Sequence, residues 1–208
     1  ADELGFNRSF SILDSDDQKS LLRRLIKERK IDLKGRRFPK PEVLLSLYSL
    51  SVNTEEKVEK LLDWNYPQLE EWRDEILKLH GDYVRSKLKG NAMDFDDLLC
   101  MAVKLFDENP DIAKMYQKKF RHVLVDEYQD TNSLQGQLVN YLVQGNKSLM
   151  VVGDDAQSIY SWRGADMEHI LGFDGQYQGA KIYKIETNYR STPEILNLSN
   201  AAIKANTN

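Results

Sequence analysis

The stretch Val123-Leu124-Val125-Asp126-Glu127-Tyr128-Gln129-Asp130-Thr131-Asn132 constrains this chain more than any other. An apolar, β-branched run stops abruptly at two adjacent carboxylates. A short apolar run bounded by polar residues reads as a strand buried on both faces, and such strands belong to parallel sheets covered by helices. Open sheets of that kind bind their ligands at the carboxyl ends of the strands. An aspartate delivered there can hold a magnesium ion that bridges nucleotide phosphates, and a neighbouring glutamate can act as general base on a water. Adjacent side chains leave a strand in different directions, so the two acids can face different partners. Taken alone, however, the pair is also what a polar strand end with capping acids looks like.

Upstream of this strand the pattern is helical. Asp14-Ser15-Asp16-Asp17 reads as a helix start with acids at the positive helix end, followed by Leu21, Leu22, Leu25 and Ile26 at helical spacing. The three acids lack the glycine and distal glutamate of a calcium loop, so capping is the reading adopted. Pro41 opens a second helix, Thr54-Glu55-Glu56-Lys57 is expected to start a third, and Pro67 restarts the pattern. Leu69, Trp72, Ile76, Leu79 and Tyr83 then step by threes and fours along an amphipathic stripe, with Trp64 and Trp72 expected in the core. Gly90-Asn91 closes that helix, so residues 1–92 read as all-helical. Asp94 caps the next helix and Pro110 opens another. Strands are expected at 121–126, 148–152 and 181–186, with a helix near 133–144 and a last one after Ser191-Thr192-Pro193-Glu194. Strands alternating with helices imply crossover units and a mainly parallel sheet.

The composition narrows the function. A net charge of -4 supplies no global positive field, so nucleic-acid binding would rest on local patches. One such patch is Lys27, Arg29, Lys30, Lys34, Arg36, Arg37 and Lys40, which reads equally as a solvated turn or as a contact for DNA phosphates. Cys100 is the only cysteine, which excludes an internal disulfide and fits a reducing, cytoplasmic setting. His80, His122 and His169 lack ligand spacing. No apolar run is long enough to span a membrane, and the chain opens without a targeting pattern.

Three motifs, each at the end of an expected strand, carry a resemblance. Asp126-Glu127-Tyr128-Gln129-Asp130 resembles the second motif of UvrD/Rep/PcrA-type superfamily 1 DNA helicases. Val152-Gly153-Asp154-Asp155-Ala156-Gln157-Ser158-Ile159-Tyr160-Ser161-Trp162-Arg163-Gly164-Ala165 resembles their third, and Glu186-Thr187-Asn188-Tyr189-Arg190-Ser191 their fourth. Met93-Asp94-Phe95-Asp96-Asp97-Leu98-Leu99 is similar to the element that leads from the family's helical insertion back into its motor domain.

The resemblance implies an α/β fold: a partial RecA-like P-loop NTPase motor domain at 93–190, an all-helical 1B-like insertion at 1–92, and a helix at 191–208 leading toward a second motor domain. It implies an ATP-dependent 3′–5′ DNA helicase of repair or replication, with ATP and Mg2+ as cofactors. In the roles it implies, Asp126 holds the magnesium ion, Glu127 is the catalytic base, Gln157 reads the γ-phosphate and Arg190 is the arginine finger. Tyr189 stacks on adenine, while Tyr160, Trp162 and Arg163 meet single-stranded DNA through ring faces and a phosphate contact. Gln157 and Trp162 share one segment, so phosphate state and base stacking can be coupled.

No G-x-x-x-x-G-K-[ST] phosphate loop occurs in these residues, and Gly145-Asn146-Lys147-Ser148 has the wrong spacing and precedes a strand. The expectation is therefore an internal fragment that binds nucleotide weakly and does not hydrolyse it. Its partners would be single-stranded DNA, duplex junctions, the remaining helicase chain (the phosphate-loop segment and second motor domain), or a second copy of itself. The rival readings are a helicase-nuclease subunit and a non-catalytic module that binds single-stranded DNA or a protein.

Overall fold

The computed structural model describes residues 2–31, 37–144 and 148–205. The chain is mostly helical, with two small parallel strand pairs. The first half is built on α1 (Ser15–Arg29), α2 (Pro41–Thr54), α3 (Val58–Asn65) and α4 (Arg73–Lys89), the last preceded by a 3-10 turn at Pro67–Trp72. Each begins where the local chemistry allows it. Asp14 accepts the backbone N–H groups of Asp16 and Asp17, and the Asp17 carboxylate bonds back to the Asp14 N–H, completing a reciprocal cap. Pro41 occupies the first turn of α2, where no intrahelical donor is needed.

These helices bury one shared core. Leu22, Leu44, Leu47, Leu62, Ile76 and Leu79 are fully buried, and Tyr83 joins them. Each such side chain contributes roughly 1.5–3 kcal/mol relative to exposure. Trp72 packs edge-on against Phe38 with centroids 5.3 Å apart. Trp64, expected in this core, is 74% exposed. It lies two residues beyond buried Leu62, about 200° around the helix, so its ring turns outward. There it carries the Lys60 ammonium 4.8 Å from its centroid. Thr54 closes α2 instead of opening α3, because its hydroxyl bonds back to the Leu50 carbonyl at 2.7 Å and Glu55 then takes a left-handed conformation.

Residues 1–92 are not purely helical. β1 (Ser11–Ile12) pairs in parallel with β2 (Ala92–Met93), so the start of the chain is stitched to the point where α4 ends. A buried ion cluster reinforces the junction. Lys87 and Asp94 are each 6% exposed at the side chain, 2.5 Å apart, and Lys87 also reaches Asp97 at 2.6 Å. Asp94 simultaneously caps α5 (Phe95–Glu108) and accepts the Tyr83 hydroxyl. Burial opposes charge on Asp94, but the Lys87 ammonium and these hydrogen bonds hold its carboxyl below the usual range. Burial beside the Asp94 charge pushes Asp97 up.

The second half runs through α6 (Pro110–Lys119), β3 (Val123–Val125), α7 (Ser133–Val143) and β4 (Leu149–Val151). β3 and β4 pair in parallel, Val123 opposite Leu149 and Val125 opposite Val151, as two strands joined by a crossover helix should. Short helices α8 (Glu168–Leu171) and α9 (Phe173–Gln176) follow, and α10 (Pro193–Ala205) ends the described residues. The strand expected at 181–186 does not form. Ile182, Tyr183 and Ile185 are 70%, 81% and 85% exposed, and the segment has no regular structure. A strand exists only through a ladder partner, and no described segment pairs with this one.

Candidate functional site

The parallel register of β3 and β4 brings their carboxyl ends side by side. Val152 donates to the Val125 carbonyl at 2.8 Å and Tyr128 donates to the Val152 carbonyl at 2.9 Å, so the ladder runs past the last paired residues. This places the loop after Asp126-Glu127 against the loop after Gly153. Asp126 and Glu127 are both exposed, and Asp126 accepts the Glu127 backbone N–H at 3.0 Å. Glu127 has φ of 51°, an uncommon conformation for a residue with a long side chain and one that clusters at functional sites.

Gln129 joins the two loops. It is 1% exposed, donates its amide to the Glu127 carboxylate at 2.8 Å, and accepts the Asp154 backbone N–H at 3.0 Å. Asp154 in turn accepts the Gln157 amide at 2.7 Å. A continuous line of hydrogen bonds therefore runs Glu127, Gln129, Asp154, Gln157. Gly153 is required by this line, since a Cβ there would lie 2.5 Å from the Gln129 Oε1 and 2.6 Å from the Ile170 Cδ1. The neighbouring Tyr128 is 1% exposed and packs against Phe173 at 5.7 Å, anchoring the loop to α9.

Three residues beyond Gln157 comes an aromatic platform. Tyr160 is 38% and Trp162 64% exposed, with centroids 6.4 Å apart. The Arg163 guanidinium sits 4.6 Å from the Trp162 centroid and 5.6 Å from that of Tyr160. It lies over the indole as a cation–π partner, and Trp162 remains 64% exposed. The turn closes at Gly164, which has φ of 86°.

Of the expected site residues, Glu127 and Gln157 are thus connected through intermediaries, and Asp126 lies beside Glu127. Tyr189 and Arg190 stand apart. Tyr189 is 91% exposed, and the only order near it is a turn in which the Asn188 side chain accepts the N–H groups of Arg190 and Ser191 at 2.8 Å each. Among the described residues, neither side chain bonds to the acid cluster. Gln129 and Asp154 belong to two of the motifs, but nothing in the sequence marks them as partners, because residues 25 positions apart in two different loops carry no sign of the loop they will meet. A single exposed carboxylate such as Asp126 is a donor set that magnesium accepts when phosphates and water complete its shell. Among the described residues no cluster of three or more acids, histidines or cysteines is placed to hold a metal alone.

The basic segment is only partly described, with Lys34, Gly35 and Arg36 outside the described residues, as are Gly145, Asn146 and Lys147. Arg29 is engaged by Asp82 and the Lys78 carbonyl. No helix among the described residues is long and apolar enough to cross a membrane.

Comparison with known proteins agrees with the motifs. A family described as the UvrD/REP helicase N-terminal domain matches residues 1–178. The chain is 43% identical over 210 residues to a protein of Bacillus subtilis named ATP-dependent DNA helicase PcrA, covering 100% of this chain and 27% of that relative. Proteins of the same name from Staphylococcus epidermidis and Staphylococcus aureus are 41% and 39% identical, each over 99% of this chain and 27% of their own length. The chain thus spans about a quarter of the length of these relatives.

Proposed function

The chain belongs to the UvrD/REP helicase family, and from that premise we propose that it carries part of the motor of an ATP-dependent DNA helicase. In this reading residues 93–190 are part of a RecA-like motor domain, residues 1–92 its helical insertion, and 191–208 the approach to a second motor domain. The parent enzyme couples ATP hydrolysis to 3′–5′ movement on single-stranded DNA and to duplex unwinding.

The observation that carries the reading is the hydrogen-bonded line from Glu127 through Gln129 and Asp154 to Gln157, ending three residues before the Tyr160/Trp162/Arg163 platform. Asp126 would hold Mg2+, which supplies charge neutralisation on the nucleotide phosphates when bound. Glu127, which accepts the Gln129 amide, would take a proton from the attacking water. The Gln157 amide that donates to Asp154 is the same group that would donate to a terminal phosphate oxygen, so the two acceptors compete for it. Release of Gln157 from Asp154 then shifts the segment that bears Trp162. Tyr189 and Arg190 would join as adenine platform and finger once the nucleotide orders their loop.

The 208 residues contain no phosphate loop, so by themselves they are expected to bind nucleotide weakly and not to turn it over. Leu124 and Met150, paired across β3 and β4, and Val152 just beyond β4 are exposed on the sheet face, which helices of the remaining motor domain would cover. The test is Glu127→Gln in the full-length protein, with ATP turnover measured on single-stranded DNA. Turnover should be abolished while nucleotide binding persists. Near-normal turnover removes Glu127 from the base role.

A further inference from the structure

Asn53 lies in the last turn of α2 in the helical half, yet it is 8% exposed, hydrogen-bonded to Asn132 beyond the acidic strand end, and in close contact with Gly164 at the end of the aromatic turn. Its amide nitrogen donates to the Asp96 carboxylate at 2.9 Å and to the Ser49 carbonyl at 2.8 Å. Its amide oxygen accepts Asn132 Nδ2 at 2.7 Å. Both ends of this chain of amides have a forced sense. Asn132 uses its own oxygen to accept the Gln135 backbone N–H at 2.8 Å, which caps α7, so only its nitrogen is left to face Asn53. Asp96 can only accept. Position 53 must therefore present an acceptor to one side and a donor to the other, which is what an amide does and a carboxylate or an alkyl group does not.

Asn53 also supports the aromatic platform. A Cβ on Gly164 would meet the Asn53 Cβ at 3.1 Å and its carbonyl carbon and oxygen at 3.2 Å, so the turn that ends the 161–163 segment lies directly on the end of α2. The same turn is tied to the loop after the acids, with Asn132 bridged to Ala165 and the Asp166 N–H donating to the Thr131 carbonyl at 3.1 Å. Glu55 adds a second tether, accepting Gln137 Nε2 at 2.6 Å.

We propose that Asn53 is a positioning residue: through Asp96, Asn132 and Gly164 it holds the Trp162/Arg163 platform in register with the acidic strand end. The helical half is thereby an integral part of the single-strand site. The DNA half of this inference rests on the function proposed above; the mechanical half does not.

The test uses this chain with its three tryptophans, Trp64, Trp72 and Trp162, labelled with 5-fluorotryptophan. In Asn53→Asp, a carboxylate faces the Asp96 carboxylate. The Trp162 fluorine line should move while the Trp72 line stays, and affinity for oligothymidylate should fall about tenfold, as expected when one buried hydrogen bond is lost and its partner left unmet. Adding Asp96→Asn restores a donor opposite the new carboxylate, leaving only the Ser49 carbonyl of the same helix unmet, and should move the Trp162 line back toward its parent position and recover at least about threefold of the lost affinity. A Trp162 line unmoved in Asn53→Asp overturns the proposal. So does failure of the double variant to restore it, or collapse of all three lines in both variants, which would assign Asn53 to folding alone. If the parent chain shows no affinity for oligothymidylate, the proposed DNA site fails while the fluorine lines still decide the mechanical coupling.

Discussion

Gly153→Ala and Gly81→Ala are the same chemical change, and the structure gives them opposite signs. At Gly153 a Cβ would overlap the Gln129 Oε1 at 2.5 Å and the Ile170 Cδ1 at 2.6 Å. Gln129 is 1% exposed and cannot swing to solvent, so its amide must leave Glu127 and Asp154. Two lost hydrogen bonds at about 1 kcal/mol each, with an overpacking term of roughly 1–3 kcal/mol, give on the order of 3–5 kcal/mol of destabilisation. At Gly81, inside α4, the nearest atom is the flexible end of Arg85 at 3.2 Å. Alanine there gains helix propensity and should stabilise by about 0.5–1 kcal/mol. Urea unfolding of the two variants, read as midpoint shifts at constant slope, measures both. A double variant isolates the cause. In a Gln129→Ala background the amide is gone, so Gly153→Ala should cost about 1 kcal/mol or less. A Gly153→Ala midpoint within about 0.5 kcal/mol of the parent, or a cost unchanged by removing Gln129, would refute the reasoning.

Three other outcomes follow, the DNA-binding one from the proposed function and the other two from the structure. Lys87→Met leaves the Asp94 carboxylate, 6% exposed, without its cation, and should destabilise the chain by about 3–5 kcal/mol; a melting temperature within about 2 °C of the parent would contradict this. Trp162→Ala should weaken binding to a single-stranded oligonucleotide by about 1–3 kcal/mol, and Arg163→Ala should lower the salt dependence by about 0.7 per decade, both read by fluorescence anisotropy. His80 is pushed down by burial, helped by the Lys87 charge and opposed by Glu59. The unfolded chain therefore binds the proton more readily, so this contribution to stability is present above about pH 6.5 and is lost as pH falls toward the folded value. The melting temperature should drop between about pH 7.5 and 5.5, and His80→Phe should flatten that slope if the imidazole packed 4.6 Å from Tyr48 is the group responsible.

Some of this molecule was legible in local order. Asp14, Asp94 and Pro41 announce helix starts because capping and proline geometry act over three or four residues. The stripe from Trp72 to Tyr83 is a period, and a period needs no partner to be seen. The run Val123–Val125 ending in two acids is legible as a strand, but it is not buried on both faces as its composition suggests, since Leu124 is 71% exposed on the sheet face. Where the sequence reading went astray, the missing information was a neighbour. Ile182, Tyr183 and Ile185 have the β-branched and aromatic character of a strand but no described ladder partner. Trp64 looks like a core residue until the angle to Leu62 is known, and Ser11–Ile12 becomes a strand only because Ala92–Met93 lies beside it.

By itself, then, the sequence determined the helical first half, the crossover of β3, α7 and β4, the family, and the residue types of the candidate site, because each of these is written in spacing or in contiguous motifs. Only the tertiary structure decided that Gln129 reaches across to Asp154, that Gly153 must lack a side chain, and that Asn53 of the helical half lies under the aromatic platform. Hydrogen bonds between residues 25 and 79 positions apart depend on how strands register and helices dock, and that geometry is a property of the packed chain and not of any stretch within it.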